Sequence, residues 1–272
     1  MPRPKRKIAE TILPSETKEP PPAEDYSSSS YWEQRYRSGI SWEWYFGYRE
    51  LQPLFDRFVS KNARILDVGC GDKPLAWDLR ADGYTGTICS FDFAPSVVSQ
   101  LEAEKQACTE RKSDSGVTFK VMDARDLKLD DKSFDLAVDK GTIDAMLCSD
   151  NGKENARSIC REAGRVLAIG GIFMLVSHVR PSSDEGMELL SKTLLAGLQE
   201  STPASEARWS VDIHCGEEAE DEEEDKDGGG ESGCETGEGG PCVYMMKKLP
   251  RRFTRSSLDG EGCNVPVRVH EY

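Results

Sequence analysis

Residues Ile65-Leu66-Asp67-Val68-Gly69-Cys70-Gly71-Asp72 set a short apolar strand directly against a pair of glycines, and an amphipathic segment follows from about Pro74. No other stretch of the chain narrows the fold as much. A strand that stops at glycines and gives way to a helix opens a βαβ unit, and the glycines let the backbone approach a ligand beneath the helix N-terminus. A pair spaced like Gly69 and Gly71 does not by itself name that ligand, so its surroundings decide.

The surroundings repeat the unit. Apolar runs recur at 64–68, 87–91, 117–122, 134–138 and 172–177, with longer amphipathic stretches such as 96–106 and 155–167 between them. Alternating strands and helices predict a doubly wound α/β domain, with right-handed crossovers and a mostly parallel sheet covered on both faces. Beyond Arg180 the pattern predicts a helix over 185–199 and strands over 209–214 and 242–247. An acid- and glycine-rich tract, 216–240, separates those two strands, which therefore read as a terminal hairpin with an enlarged, disordered tip.

Two ligands compete for the glycine turn. A nicotinamide dinucleotide requires G-x-G-x-x-G/A, and here the last position is Pro74. Asp67, two residues before the first glycine, also sits badly beside a pyrophosphate. An acid at that place suits the ammonium end of S-adenosylmethionine, and the remaining strand ends agree. Asp92 lies 21 residues beyond Gly71, at a distance where a carboxylate takes the ribose hydroxyls, and Phe93 beside it can cover an adenine face. After the third strand, Asp123 is placed to accept from the adenine amino group. Each acid alone reads as a turn or helix cap. Three after three successive strands read as a site. The fourth run continues into Asp139-Lys140-Gly141-Thr142-Ile143-Asp144-Ala145, whose polar residues face the crevice at the strand's carboxyl end.

Length, charge and cysteines bound the rest. Residues 1–28, with six prolines and the serine run 27–30, read as a disordered arm; the domain spans 29–248; and 249–272 lack periodicity and read as a tail. The net charge is −14, and residues 217–238 alone hold twelve acids against one base, Lys226. The remainder is near neutral, so no general nucleic-acid footprint is expected. The acidic tract reads as a solvated loop, with long-range steering of a basic substrate as the alternative. The longest apolar run, Ile172–Val176, is far short of the ~20 residues a bilayer span needs. With no signal-like N-terminus, an intracellular, cytoplasmic protein without a membrane segment is the reading. The basic start Arg3–Lys7 is the one feature that would address it to the nucleus. Nine cysteines without C-x-x-C spacing read as reduced thiols, and His214 beside Cys215 reads as a strand end, with no metal expected.

Taken with Tyr31-Trp32-Glu33-Gln34-Arg35-Tyr36 and Trp42-Glu43-Trp44-Tyr45-Phe46-Gly47, the segment 139–145 resembles one group of class I methyltransferases. These are the elongation factor 1-alpha lysine methyltransferases, above all the type 4 enzymes and the N-terminal domains of the methyltransferase-like protein 13 group. The likeness covers roughly residues 31–178, with a weaker match at 243–247. It implies a Rossmann-like, seven-stranded sheet with the last strand antiparallel. It also implies that Trp32, Tyr36 and Trp44 belong to an N-terminal segment folded over the cofactor, and that Gly69 makes the glycine-loop contact. Asp92 and Phe93 take the ribose and adenine positions, Asp123 and Ala124 the second adenine site, and Lys140 the contact after strand four. The acidic insertion and the C-terminal extension depart from that pattern and bear on substrate choice.

The expected site is thus Trp32, Tyr36, Trp44, Asp67, Gly69, Gly71, Asp92, Phe93, Asp123, Ala124 and Lys140 around S-adenosylmethionine. The aromatic group has a physical basis, since aromatic faces attract a sulfonium cation by ~0.5–2 kcal/mol; packing of an N-terminal helix is the plainer explanation. A lysine acceptor must lose its proton, and desolvation beside a cation favours the neutral amine, so no dedicated base is expected. Asp139 and Asp144 are the candidates to orient the amine. The resemblance implies a monomer acting on a protein resembling elongation factor 1-alpha. A small-molecule methyltransferase and a non-catalytic binding module are the alternatives.

Overall fold

Strands β1 (Ile65–Val68), β2 (Ile88–Asp92), β3 (Val117–Val121), β4 (Phe134–Lys140) and β5 (Leu167–Ser177) form where the apolar runs are. Every residue of β1 and β2 is buried, as parallel strands covered on both faces require. The computed structural model describes residues 26–39, 41, 43–109, 111, 114, 116–215, 240–251 and 266–271. Most of the expected N-terminal arm and acidic tip (1–25 and 216–239), and residues 252–265 of the tail, lie outside the described residues.

The sheet runs β3-β2-β1-β4-β5-β7-β6-β8, where β6 is Ala207–Cys215, β7 is Cys242–Pro250 and β8 is Val267–Glu271. Neighbours pair in parallel except at β7, which is antiparallel to both β5 and β6. This is the expected doubly wound sheet with one correction. Residues 267–271 are not tail but an eighth strand, in parallel register with β6 from Val211↔Val267 to Cys215↔Glu271. Val267 and Val269 alternate with Arg268 and His270, but a strand of five residues is a short signal, and its pairing partner lies more than fifty residues earlier.

Helices cover both faces. One layer holds α1 (Ser29–Arg37), α2 (Tyr48–Phe58), α3 (Ala76–Ala81) and α4 (Pro95–Ala107). Leu51 and Phe55 of α2, one helical turn apart, and Val97 and Leu101 of α4 pack on Ile65, Ile88, Leu136 and Val138. The other layer holds α5 (Thr142–Leu147), α6 (Gly152–Val166), α7 (Asp184–Leu189) and α8 (Ala196–Glu200). Here Ile143, Ile159, Leu194 and Leu198 pack on Leu66, Phe91, Ala137 and Phe173. The helix expected over 185–199 is interrupted: Leu190–Leu195 widen into a π-helical segment between α7 and α8. At the sheet's far side Trp209 is fully buried, its indole N–H donating to the Leu198 carbonyl at 3.1 Å. None of the described helices is long and apolar enough to cross a membrane.

The thiol expectation also needs correction. Cys215 and Cys242 face each other in the β6–β7 register and form a disulfide, with 4.3 Å between their Cα atoms. Cys70, Cys89, Cys108, Cys148 and Cys160 are free, as read. Spacing along the chain could not show the pair, because strand register alone brings the two residues opposite one another.

Candidate functional site

The strand order reverses between β1 and β4, which lie side by side at the centre of the sheet. Such a switch point opens a crevice at the carboxyl ends of the strands. A cleft of about 900 Å³, counting its open mouth, lies there. All eleven residues expected around the cofactor line it: Trp32, Tyr36 and Trp44 from the N-terminal segment, Asp67, Gly69 and Gly71 after β1, Asp92 and Phe93 after β2, Asp123 and Ala124 after β3, and Lys140 at the end of β4.

The glycine turn is built with no room to spare. Gly69 has φ +59°, and a Cβ there would lie 2.0 Å from the Thr142 hydroxyl; Gly71 has φ +55°, with the Tyr36 hydroxyl 3.2 Å from where its Cβ would be. Backbone in the left-handed region and a missing side chain leave the floor of the cleft open. Asp67 is buried beneath it and accepts from the Leu75 N–H and the Ser90 hydroxyl, both at 3.0 Å. Asp92 accepts from the Gly71 N–H at 3.1 Å and the Ala94 N–H at 2.9 Å, so its side chain joins the turn to the loop after β2. Burial pushes both carboxyls up to about 6, against the hydrogen bonds that favour their charged forms.

Trp32, Tyr36 and Trp44 stack along one wall. The Trp32 ring lies 5.8 Å from both Tyr36 and Trp44, and the Arg35 guanidinium sits over the Trp32 and Trp44 rings at 5.2 and 5.3 Å. Two side chains tie this segment down. Glu33 accepts from the Ser96 N–H in the first turn of α4 at 2.9 Å. Lys140 pairs with Glu43 and donates to the Trp44 carbonyl at 3.1 Å. Burial, and then the charge of Asp92, push the Tyr36 phenol above its ordinary range, so it is protonated at neutral pH. Trp42 lies outside the described residues.

The remaining expected residues differ in their partners. Asp123 lines the cleft, but its carboxylate is bound by the Arg125 guanidinium at 2.7 Å and by the Arg125 N–H at 2.9 Å, which holds it below the usual carboxylate range. Asp139 does not line the cleft, and neither does Asp144. Asp139 is fully buried and accepts from the Thr142 and Ile143 N–H groups at 3.0 and 3.2 Å, as a cap for α5, and burial pushes it up to about 8. Asp144 is half-buried one turn further on and takes three donors: the Tyr45 hydroxyl, the Ser177 hydroxyl and the His178 N–H. Sequence reasoning missed Glu43, Tyr45 and Arg125. Arg125 follows Asp123 by two residues and could have been paired with it; Glu43 and Tyr45 stand in the 42–47 motif, which marks them as part of the resemblance without showing their partners Lys140 and Asp144.

A model of a methyltransferase domain matches residues 59–228, well over half of the chain. The chain belongs to the methyltransferase family. Within the class I S-adenosylmethionine-dependent group it is similar to the eEF1A lysine and N-terminal methyltransferase of Danio rerio, at 30% identity over 208 residues, 76% of this chain and 27% of that protein. The Xenopus laevis protein of the same name is 35% identical over 172 residues, 61% of this chain and 23% of the relative. The EEF1A lysine methyltransferase 4 of Mus musculus is 28% identical over 57% of this chain and 63% of that protein. The matched region is thus about a quarter of the length of the first two relatives.

The family implies S-adenosylmethionine as cofactor, and the methyltransferase cleft has the donor set for it. Two buried carboxylates, Asp67 and Asp92, face a glycine floor that any Cβ would fill, beneath an aromatic wall. That combination suits a cationic amino acid, a ribose and a flat base on one ligand.

Proposed function

We propose that this methyltransferase transfers a methyl group from S-adenosylmethionine to a lysine of a protein substrate resembling elongation factor 1-alpha, in the cytoplasm. The observation that carries the reading is the convergence of all eleven cofactor positions on one cleft, with the half-buried carboxylate of Asp144 at the neighbouring helix turn. The names of the similar proteins supply the substrate class.

In this reading Asp67 and the glycine turn hold the amino-acid end, Asp92 the ribose, and Phe93, Asp123 and Ala124 the adenine. Trp32, Tyr36 and Trp44 cover the ligand and exclude water. When bound, the cofactor would supply a methyl carbon activated by positive sulfur, which would keep the electron pair of the S–C bond on transfer to the amine. The protein's share is position and a dry pocket. The acceptor amine enters protonated, loses its proton to solvent as it is desolvated, and needs no dedicated base. Of the two candidate acids we assign the orienting role to Asp144, because Asp139 is fully buried whereas Asp144 is half-buried.

Incubation of the purified protein with radiolabelled cofactor and a cell extract tests the reading. A single labelled protein band is expected, with the acceptor lysine found on digestion. Label confined to the low-mass fraction would overturn it in favour of a small-molecule substrate. Cofactor binding by calorimetry without any label would point to a binding module.

A further inference from the structure

One residue near the cleft stands in a backbone conformation its side chain disfavours. Tyr45 has φ +59°, in the left-handed region that bulky residues avoid. Such strain persists only where surrounding contacts hold it, and it concentrates at functional sites. Three contacts hold Tyr45. Its hydroxyl donates to Asp144 Oδ2 at 2.6 Å. Its ring meets the exposed His178 imidazole edge to face, with centroids 4.6 Å apart. Its other side lies against Gly141, itself at φ +90°, where a Cβ would come within 3.1 Å of the Tyr45 ring. Gly141 also lines the cofactor cleft. One glycine therefore separates the cleft from the Tyr45 ring.

Asp144 is the hub of this cluster. Oδ1 accepts from the Ser177 hydroxyl at 2.6 Å, and Oδ2 accepts from the Tyr45 hydroxyl and from the His178 N–H at 2.9 Å. A carboxylate has about four lone-pair directions, so about one is left for a ligand. Aromatic walls beside an acid suit a cation carried on an apolar stem. We propose that Tyr45 is a positioning residue for the acceptor: it fixes Asp144 and, with the His178 ring, walls a port for a primary amine on an unbranched stem. The inference rests on the amine transfer proposed above and names the residues that would select for it. Burial, and then the charge and hydrogen bond of Asp144, push the Tyr45 phenol above its ordinary range. It stays a donor at neutral pH and orients the carboxylate without serving as a base.

The port can be probed without turnover. The chain has three histidines, so the ring signals of His178 are identified by one substitution, His178→Gln. Titration with n-butylammonium chloride at constant ionic strength should shift those signals saturably in the wild type. Tyr45→Phe, which keeps the ring, should weaken that binding about tenfold, the order expected for one lost hydrogen bond to a charged group, and Asp144→Asn should abolish it. Using the extract protein that the wild type labels, Tyr45→Phe should lower kcat with cofactor affinity by calorimetry unchanged. Tyr45→Asn, which relieves the backbone and removes the wall, should mainly raise acceptor KM. Peptide mapping should find the label on lysine Nζ, the amine on an unbranched stem. His178 signals that ignore n-butylammonium, a Tyr45→Phe protein equal to the wild type in both assays, or label on any group other than lysine Nζ would each overturn the proposal. Amine binding at His178 without a labelled protein would keep the port and remove the protein substrate.

Discussion

Replacing Gly69 by Ala tests whether the glycine turn is open for steric reasons, and the structure supplies the terms. At φ +59° any side chain costs roughly 1–2 kcal/mol. The added Cβ would also stand 2.0 Å from Thr142 Oγ1 and 3.0 Å from both Thr142 Cβ and Cγ2. No rotation of Thr142 clears it, and displacing the hydroxyl breaks its 3.1 Å bond to the Val68 carbonyl. Overpacking of this kind adds about 1–3 kcal/mol, so Gly69→Ala should cost about 3.5 kcal/mol in all. Thr142→Ala alone loses one hydrogen bond, about 1 kcal/mol. In the double variant the overlap is largely gone, leaving backbone strain and the lost bond, about 2.5 kcal/mol. The two changes should therefore be non-additive, with a coupling of about 2 kcal/mol. Urea unfolding followed by tryptophan emission measures all four proteins on one scale, provided the transitions coincide with those seen by circular dichroism. A double variant as unstable as the two singles combined, or a Gly69→Ala protein within about 0.5 kcal/mol of the wild type, would refute the steric account.

Three further outcomes follow from other parts of the molecule. Burial raises Asp67 and Asp92 to about 6 and Asp139 to about 8, above the ordinary carboxylate range, so the ligand-free protein keeps protons that the unfolded chain releases. Its stability should fall as pH rises from about 4 to about 8, whereas affinity for the cationic cofactor should rise from about pH 4 to about pH 6 as Asp67 and Asp92 ionise; a calorimetric affinity flat from pH 5 to pH 7.5 would contradict this. Lys140→Met removes both the ion pair to Glu43 and the bond to the Trp44 carbonyl, and should loosen the aromatic segment, with about tenfold weaker cofactor binding and faster proteolysis around residues 38–47. Joint replacement of Cys215 and Cys242 by Ser opens a link between residues 27 apart, and should cost about 3.5 kcal/mol on the chain-entropy account. Alkylation of the denatured, unreduced protein should label two fewer thiols than alkylation after reduction.

The legible parts of this fold are those that one segment decides. The strand ends after β1 to β4 announce themselves by an apolar run and the polar residue that follows, which is why eight of the eleven expected positions meet in one cleft; Trp32, Tyr36 and Trp44 come from the family resemblance. The end of β4 is less legible: the sequence predicts that Asp139 faces the crevice together with Lys140, and only Lys140 lines it, Asp139 being buried at the start of α5. What stayed hidden depends on pairing at a distance. β8 is a strand because the edge of β6 is there to receive it. Cys215 meets Cys242 because the hairpin register sets them opposite.

The same distinction separates the two sides of the reaction centre. The proposed cofactor side takes eight of its eleven residues from consecutive strand ends, each readable in its own ten residues. The cluster beside it joins Tyr45 to Asp144 across 99 residues and Asp144 to Ser177 across 33. No window of sequence contains it, and its most telling feature, the left-handed backbone at Tyr45, is imposed by tertiary contacts on a residue that would not choose it. Asp139 and Asp144 look alike in sequence, yet Asp139 is fully buried with one oxygen bound to the N-terminus of α5, and Asp144 is half-buried and held by three donors. A change of acceptor that leaves cofactor affinity intact should therefore arise at positions 45, 144 and 178, of which the sequence marks only Asp144 for the acceptor and tertiary contacts supply the other two.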